Sequence, residues 1–358
     1  MAKKKIVALG GDGVGPEVVS ATCYILENAG FELDIEKPPH AEEALKKYNN
    51  PFPDETKKLC DESDAILFGA TQTASRPILT YLRWACDNYV NIRPMKYYQG
   101  AISPLKDPSS IDFVILRENS EGLYPGREGD LSMLAESMPD YRDGRIGKAF
   151  ADYGEGKFAI RIVSEKGMKR FANYSCEYTL KRKKIGHKGK LTCVTKSNVL
   201  RESDGLFQRI MEEEINKYPN LSYEHYYIDD MARRVLRYPK EFDVIVTSNL
   251  FGDILSDECA ELVGGLGLAG SGCTGGKIAY FEPTHGSAPK YAGKNVINPT
   301  ATILSAKLML DYLGMHEEAT SLESAVENLY KKGRSLTYDQ GGSTSTIDFA
   351  KAILMEIH

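Results

Sequence analysis

"VALGGDGVGPEV", Val7 to Val18, sets four glycines and a proline directly after an apolar run, and its reading decides the fold. A dinucleotide-binding turn needs Gly-x-Gly-x-x-Gly opening a helix. Counted from Gly11 and Gly13, the third glycine position holds Pro16. The region where an isolated acidic side chain should close a second strand reads "FELDIEKPPH", charged and interrupted by proline. Pro16 suits the first turn of a helix, where a missing N–H costs no hydrogen bond. The stretch is therefore a structural strand-to-helix turn and not a Rossmann site; a nicotinamide cofactor, if one binds, is held elsewhere.

A chain of 358 residues with 42% hydrophobic and 27% charged content has room for two domains, which excludes disordered, collagen-like and membrane classes. The start "MAKKKIVAL" has basic residues before a short apolar run without a cleavage-type end, so it reads as a strand and not a signal peptide. No stretch reaches the roughly 18 apolar residues of a membrane span. The seven cysteines are scattered, odd in number and without a Cys-x-x-Cys pair, pointing to reduced thiols and a cytoplasmic protein. A formal charge of −5 argues against nucleic acid as the main partner.

Short apolar runs, "KIVALG", "AILFGA", "DFVILREN", "KLTCVTKSN" and "FDVIVTSN", alternate with amphipathic stretches in an α/β pattern. In such sheets ligands gather beyond the carboxyl ends of strands. Several runs close on polar residues: Arg117, Glu118 and Asn119; Lys196 and Asn198; Ser248 and Asn249. The segment from Glu121 to Ser164 breaks the rhythm with glycines and then alternates in "KFAIRIV", and it reads as a hairpin-like excursion.

Three constellations carry chemistry. Arg83, Arg93 and Arg117 lie at element edges, and converging guanidinium forks suit a di- or tricarboxylate substrate; taken singly, each fits a surface ion pair better. In "NLFGDILSDECAEL", Asp253 and Asp257 are four apart on one helix face, a pair that repels unless a divalent cation bridges it or the face is simply solvated. "FEPTHGSAPKYAGKNVINPT", Phe281 to Thr300, is a long irregular loop of the kind that holds phosphates or an adenine.

Together "GDGVGPEV", "LR…NIRP", "REN", "KSNV", "YYIDDMA", "NLFGDILSDECAELVGGLGLAGSG" and "FEPTHGSAPKYAGKNVINPTATILSAKLML" resemble the β-decarboxylating dehydrogenases, the isocitrate and isopropylmalate dehydrogenase family, from about Ile6 to the C-terminus. The resemblance implies an α/β, non-Rossmann fold. It also implies a large cofactor domain of residues 1–88 and 264–358, and a small substrate and dimerisation domain of 89–263 with a clasp-like segment at 121–164. It further implies a homodimer with shared active sites and no nucleic-acid or membrane partner.

The same resemblance assigns roles. Arg83, Arg93 and Arg117, with Asn198, Arg76 and Thr80, would bind substrate; Asp229, Asp253 and Asp257 would bind Mg²⁺ or Mn²⁺. Lys196 would help take the hydroxyl proton, Tyr124 would return a proton to the enolate, and Lys196 and Asp229 would reach the site from the partner subunit. Thr71, Glu282, His285, Gly286, Ser287, Ala288, Lys290, Tyr291, Asn298 and Tyr338 would contact the cofactor. A noncatalytic subunit of a hetero-oligomer and a metal-dependent hydrolase are the competing classes.

For substrate, "REN" with "SEGLY" and "RPMKYYQGAISPLKD" look most like isocitrate dehydrogenases, so isocitrate ranks first, homoisocitrate second and isopropylmalate third. Pro77 and Leu79 stand where the bacterial isocitrate pattern has serine and asparagine, and Leu79 resembles the lining of an isopropyl pocket. For cofactor, Lys290 and Tyr291 follow "HGSAP" where NAD-using relatives tend to carry aspartate, and Tyr338 matches a further phosphate contact. NADP is therefore expected over NAD, although Gly342 occupies the place of the arginine that completes the NADP pattern.

Overall fold

The computed structural model describes residues 3–357. The chain opens with β1 (Lys4–Leu9), α1 (Gly15–Asn28), β2 (Leu33–Glu36), α2 (Ala41–Tyr48), α3 (Asp54–Glu62), β3 (Ala65–Phe68) and α4 (Arg76–Thr80), which runs into a π-helical turn at Tyr81–Ala85. Next come β4 (Val90–Lys96), β5 (Asp112–Glu118), β6 (Glu128–Asp130), α5 (Leu131–Ser137), β7 (Lys157–Ala159) and α6 (Glu165–Lys184). The rest is β8 (Lys190–Thr195), α7 (Ser203–Ile215), β9 (Ser222–Tyr227), α8 (Ile228–Arg237), β10 (Val244–Thr247), α9 (Asn249–Leu262), β11 (Gly270–Thr274), β12 (Tyr280–Pro283), α10 (Thr300–Tyr312), α11 (His316–Lys332) and α12 (Thr346–Ile357).

Ten strands form one sheet in the order β2-β1-β3-β12-β11-β4-β5-β10-β8-β9. β2, β1, β3 and β12 are mutually parallel, as are β5, β10, β8 and β9. The β12–β11, β11–β4 and β4–β5 pairs between these blocks are antiparallel, so the two blocks run in opposite senses. The five apolar runs picked out in the sequence are β1, β3, β5, β8 and β10.

Helices cover both faces, which is why β1, β3, β5 and β10 carry continuous apolar runs instead of alternating. Ile6, Leu67 and Phe281 pack with Ile303, Met309, Val326 and Phe349 of α10, α11 and α12. In the other half Val114 and Leu116 face Phe171 and Phe207, while Phe113 and Ile115 face Met231 and Leu255. All seven cysteines are free and buried. Among the described residues no helix is long and apolar enough to cross a membrane.

The glycine-rich turn is occupied by the chain itself. Asp12 N donates to Ala70 O at 2.8 Å and Val14 N to Ser287 O at 2.9 Å, so these two donors are not free to cradle a phosphate. Gly11 and Gly13 have φ of 75° and 61°. A Cβ at Gly13 would stand 2.0 Å from Ser287 O, and one at Gly11 would stand 2.2 Å from Ala70 O. Close backbone approach and left-handed φ together require glycine there. Asp12 Oδ2 accepts from Gln72 N at 2.7 Å and Ser75 Oγ at 2.6 Å, fastening the turn to the segment before α4.

The excursion forms a two-stranded antiparallel ribbon, β6 with β7. Strand structure in "KFAIRIV" stops at Ala159, earlier than the alternation predicts. Beyond it the chain offers one isolated bridge, Gly122 with Ile162, and Ile160 and Ile162 remain exposed. Alternation alone does not make a strand where no neighbour supplies the ladder.

Candidate active site

The sheet register gathers the polar strand ends. β5, β10 and β8 are adjacent and parallel, so Arg117–Asn119, Ser248–Asn249 and Lys196–Asn198 emerge at one edge. In the antiparallel β4–β5 pair, Asn91 lies opposite Arg117, which brings Arg93 to the same region, and Arg83 arrives from the π-helical turn. All three arginines are buried. A buried guanidinium is costly without an anion.

Their partners differ. Arg117 donates from Nε and Nη2 to Asn249 Oδ1 at 3.0 and 2.7 Å, and from Nη1 to Asp253 Oδ1 at 2.5 Å. Arg93 donates to Asn91 Oδ1 at 3.3 Å and Ser256 Oγ at 2.5 Å, and lies 3.3 Å from Asp253 and 3.7 Å from Asp257. Arg83 is the least satisfied: Glu282 stands 4.0 Å away and its Nε is buried without a partner. Burial, then the like charge of Arg93, pulls Arg117 down to about 10, so it stays cationic at neutral pH and favours an anionic ligand.

Asp253 and Asp257 face this cluster from α9. Burial opposes ionisation of Asp253, but Arg117 and Arg93 hold its carboxyl below the ordinary value. At Asp257 burial dominates over Arg93, and the charge of Asp253 adds to it, so that carboxyl is raised. Tyr124 OH donates to Asp253 Oδ2, and its ring lies 4.7 Å from the Arg117 guanidinium carbon. Burial raises the phenol further above neutrality, which keeps it protonated. A pair of carboxylates one helical turn apart is a hard-oxygen donor set that fits Mg²⁺ or Mn²⁺.

Lys196 Nζ pairs with Asp229 Oδ1, a contact between the β8 end and the first turn of α8. Asp230, its neighbour, pairs instead with Arg233 and Arg234, which leaves Asp229 as the carboxylate beside Lys196. Among the described residues no group of three His, Cys, Asp or Glu side chains is placed to hold a metal, so the chain does not itself bring Asp229 to Asp253 and Asp257. Asn198 is exposed, as are Arg76 and Thr80 on α4.

The cofactor candidates lie along the segment after β12 and beside β3. Thr71 Oγ1 and His285 Nε2 are buried without partners, and burial lowers the His285 imidazole, keeping it neutral; these orphaned groups fit a bound nucleotide. Glu282 is buried, and burial raises its carboxyl against the pull of Arg83. Gly286 is open, Ser287 Oγ donates to Gln72 Oε1 at 2.8 Å, and Ala288 adopts φ 36°. Tyr291 and Tyr338 stack at 6.0 Å with 24° between ring planes, and Lys290 is exposed beside them. The Asn298 carboxamide is bonded within the chain. Its Nδ2 donates to Tyr330 OH and Asp339, and its Oδ1 accepts from Thr300.

Sequence reading missed the roles of Asn91, Asn249 and Ser256, each bonded to a site arginine. Their signal was available in part, since Asn249 closes β10 and Ser256 sits between the two aspartates.

Compared with known proteins, residues 5–353 match the isocitrate/isopropylmalate dehydrogenase family. The 3-isopropylmalate/3-methylmalate dehydrogenase of Methanocaldococcus jannaschii is 41% identical, over 99% of this chain and 98% of that one. The homoisocitrate dehydrogenase of the same organism is 38% identical, over 98% and 96%. The crystal structure of isocitrate dehydrogenase from Methylococcus capsulatus superposes with a TM-score of 0.85 at 32% identity, covering 99% of both chains.

Proposed function

The chain belongs to the isocitrate/isopropylmalate dehydrogenase family, and from that premise we propose that it oxidatively decarboxylates a 2-hydroxy acid bearing a 3-carboxylate and an apolar 3-substituent, with 3-isopropylmalate first. The ranking from sequence, isocitrate first, is thereby reversed. What carries the reversal is the relative named for 3-isopropylmalate/3-methylmalate, 41% identical over 99% of this chain. Leu79, four residues before Arg83 and half-buried against the apolar cluster of Leu9, Phe68 and Ile78, agrees with it, because an aliphatic side chain near the substrate favours an alkyl group over a distal carboxylate. Homoisocitrate ranks second, because exposed Arg76 and Thr80 flank Leu79 and a relative of that name matches at 38%.

In this reading Arg83, Arg93 and Arg117 bind the two carboxylates and orient the hydroxyl-bearing carbon. Lys196, coupled to Asp229, receives the hydroxyl proton. Tyr124, protonated beside Asp253, returns a proton to C3 after CO₂ leaves. Thr71 and residues 282–298 would hold the nicotinamide, which would supply the hydride acceptor, and Asp253 and Asp257 would hold a divalent cation, which would supply polarisation of the ketone. Lys196 and Asp229 serve the active site of a partner subunit in a homodimer joined by segment 121–164. The lobes are residues 1–88 with 264–358, and 89–263.

For the nucleotide we infer a preference for NADP, supported by exposed Lys290 beside the Tyr291–Tyr338 pair, a cation and two phenols suited to a phosphate. The test is kcat/KM for the three acids with NAD and NADP in the presence of Mn²⁺. Tenfold preference for isocitrate or homoisocitrate overturns the substrate order. Absence of cofactor reduction until a second chain is added overturns the catalytic reading.

A further inference from the structure

Asn249 is the first residue of α9 and is fully buried at the end of β10. One oxygen of its carboxamide accepts both Nε and Nη2 of Arg117, and its nitrogen donates to Glu121 O at 3.0 Å. Glu121 is itself fixed: its carboxylate accepts from Ser164 N at 2.8 Å, and its N–H donates to Glu118 Oε2 at 2.9 Å. Three residues later the same segment carries Tyr124. One carboxamide therefore touches both the substrate-facing arginine and the backbone that delivers the phenol.

A guanidinium has five N–H donors. Two on Arg117 are taken by Asn249 and one by Asp253, which leaves two without a partner among the described residues. Gly252, one turn along α9, makes the approach possible: a Cβ there would meet Arg117 Cγ at 2.7 Å and Cβ at 2.8 Å. The helix is thus shaped to receive this arginine's stem while Asn249 holds one edge of its head.

We propose that Asn249 is the positioning residue that aims Arg117 at a substrate carboxylate and locks the Tyr124 segment to it. This inference rests on the dehydrogenase reading above. The choice of amide over acid is the central point. A neutral carbonyl oxygen orients the guanidinium by hydrogen bonds without adding to the one carboxylate, Asp253, already paired with it. An aspartate of the same shape would set a second carboxylate against the guanidinium in competition with the substrate, and would place a second acceptor against Glu121 O.

The test compares Asn249→Asp and Asn249→Ala with wild type, reading KM for the hydroxy acid, KM for the nicotinamide cofactor, kcat and the thermal midpoint. Asn249→Asp is expected to raise KM for the acid by about tenfold or more, as loss of a charge-assisted contact does, with KM for the cofactor unchanged. Asn249→Ala, which keeps the charge of Arg117 but frees its plane and the Tyr124 segment, is expected to lower kcat and raise KM for the acid less. An unchanged KM for the acid in both variants overturns the proposal, as does an equal rise in both KM values tracking a fall in thermal midpoint. If Asn249→Asp does not fold, the KM split in Asn249→Ala decides. Wild-type protein inactive on every acid overturns the underlying reading, and the proposal with it.

Discussion

The Tyr124 phenol donates to Asp253 while its ring lies against the Arg117 guanidinium, so one carboxylate is shared by the proposed proton donor and an arginine. Replacing Tyr124 by phenylalanine keeps the ring against Arg117 and removes the proton. We expect Tyr124→Phe to lower kcat by roughly 10²- to 10⁴-fold, the worth of one positioned acid, with a small change in KM for the hydroxy acid. Steady-state kinetics on the preferred acid checks this. A full kcat would show that another group protonates C3.

Metal demand should rise in acid. Burial and the charge of Asp253 raise the Asp257 carboxyl, so protons compete with the cation at a higher pH than an ordinary aspartate would allow. The Mn²⁺ concentration for half-maximal rate is expected to climb as pH falls, beginning at a higher pH than an ordinary aspartate would give. Asp257→Asn should flatten that pH dependence and raise the Mn²⁺ concentration for half-maximal rate at every pH by no less than the roughly 10- to 100-fold that outer-shell changes cause. Titration of Mn²⁺ at several pH values reads both.

Away from the site, Glu323 on α11 accepts from Lys96 of β4 at 2.9 Å and from Tyr98 at 3.1 Å, and pairs with Lys307 of α10 at 3.1 Å. Burial opposes its ionisation, but Lys307 and Lys96 prevail and pull its carboxyl down from 4.5 to about 2. A depressed carboxylate stabilises the fold fully above its unfolded value and loses that contribution as pH falls from about 4.5 to about 2. The shift corresponds to roughly 3 kcal/mol. Glu323→Gln should lose stability of that order at pH 7 and show less further loss in acid. Urea unfolding at pH 7, 5 and 3 tests the sign and the window.

Cofactor preference should turn on the Tyr291–Tyr338 pair and Lys290. Lys290→Asp with Tyr291 made aliphatic is expected to lower kcat/KM for NADP and raise it for NAD; wild type already preferring NAD would overturn the assignment. Adding the missing arginine at position 342 should not strengthen NADP binding. A Cβ at Gly342 would stand 1.9 Å from Leu336 O. Gly342→Arg is expected instead to lower the thermal midpoint, read by calorimetry.

Much of this was legible in the residues. Pro16 displacing a glycine was enough to set aside a Rossmann turn, and the bonds from Asp12 and Val14 give the physical cause. The spacing of Asp253 and Asp257 placed both on one helix face. The convergence of Arg83, Arg93 and Arg117 was not readable from spacing, because it depends on β4 lying antiparallel beside β5 and on a π-helical turn before it. Single polar contacts escaped for the same reason: nothing local marks Asn91 or Asn249 as the acceptor for a given guanidinium. The side-chain commitment of Asn298 to Tyr330 and Asp339 joins residues far apart in sequence, so no motif signals it.

The sheet order has a consequence for how the chain is made. β3 is completed by β12 and β4 by β11, after about 210 and about 170 residues of intervening chain respectively. Until the ribosome has released Pro283, β3 and β4 each keep an open edge able to pair wrongly. Folding of the emerging polypeptide should therefore proceed as two separate nuclei, β1–β3 with α1 and β4–β10 with α6 and α7, that wait for the β11–β12 hairpin to join them. Long-range closure of this kind is slow and exposes edges to aggregation, and a nascent chain stalled before Tyr280 is the form most in need of a chaperone.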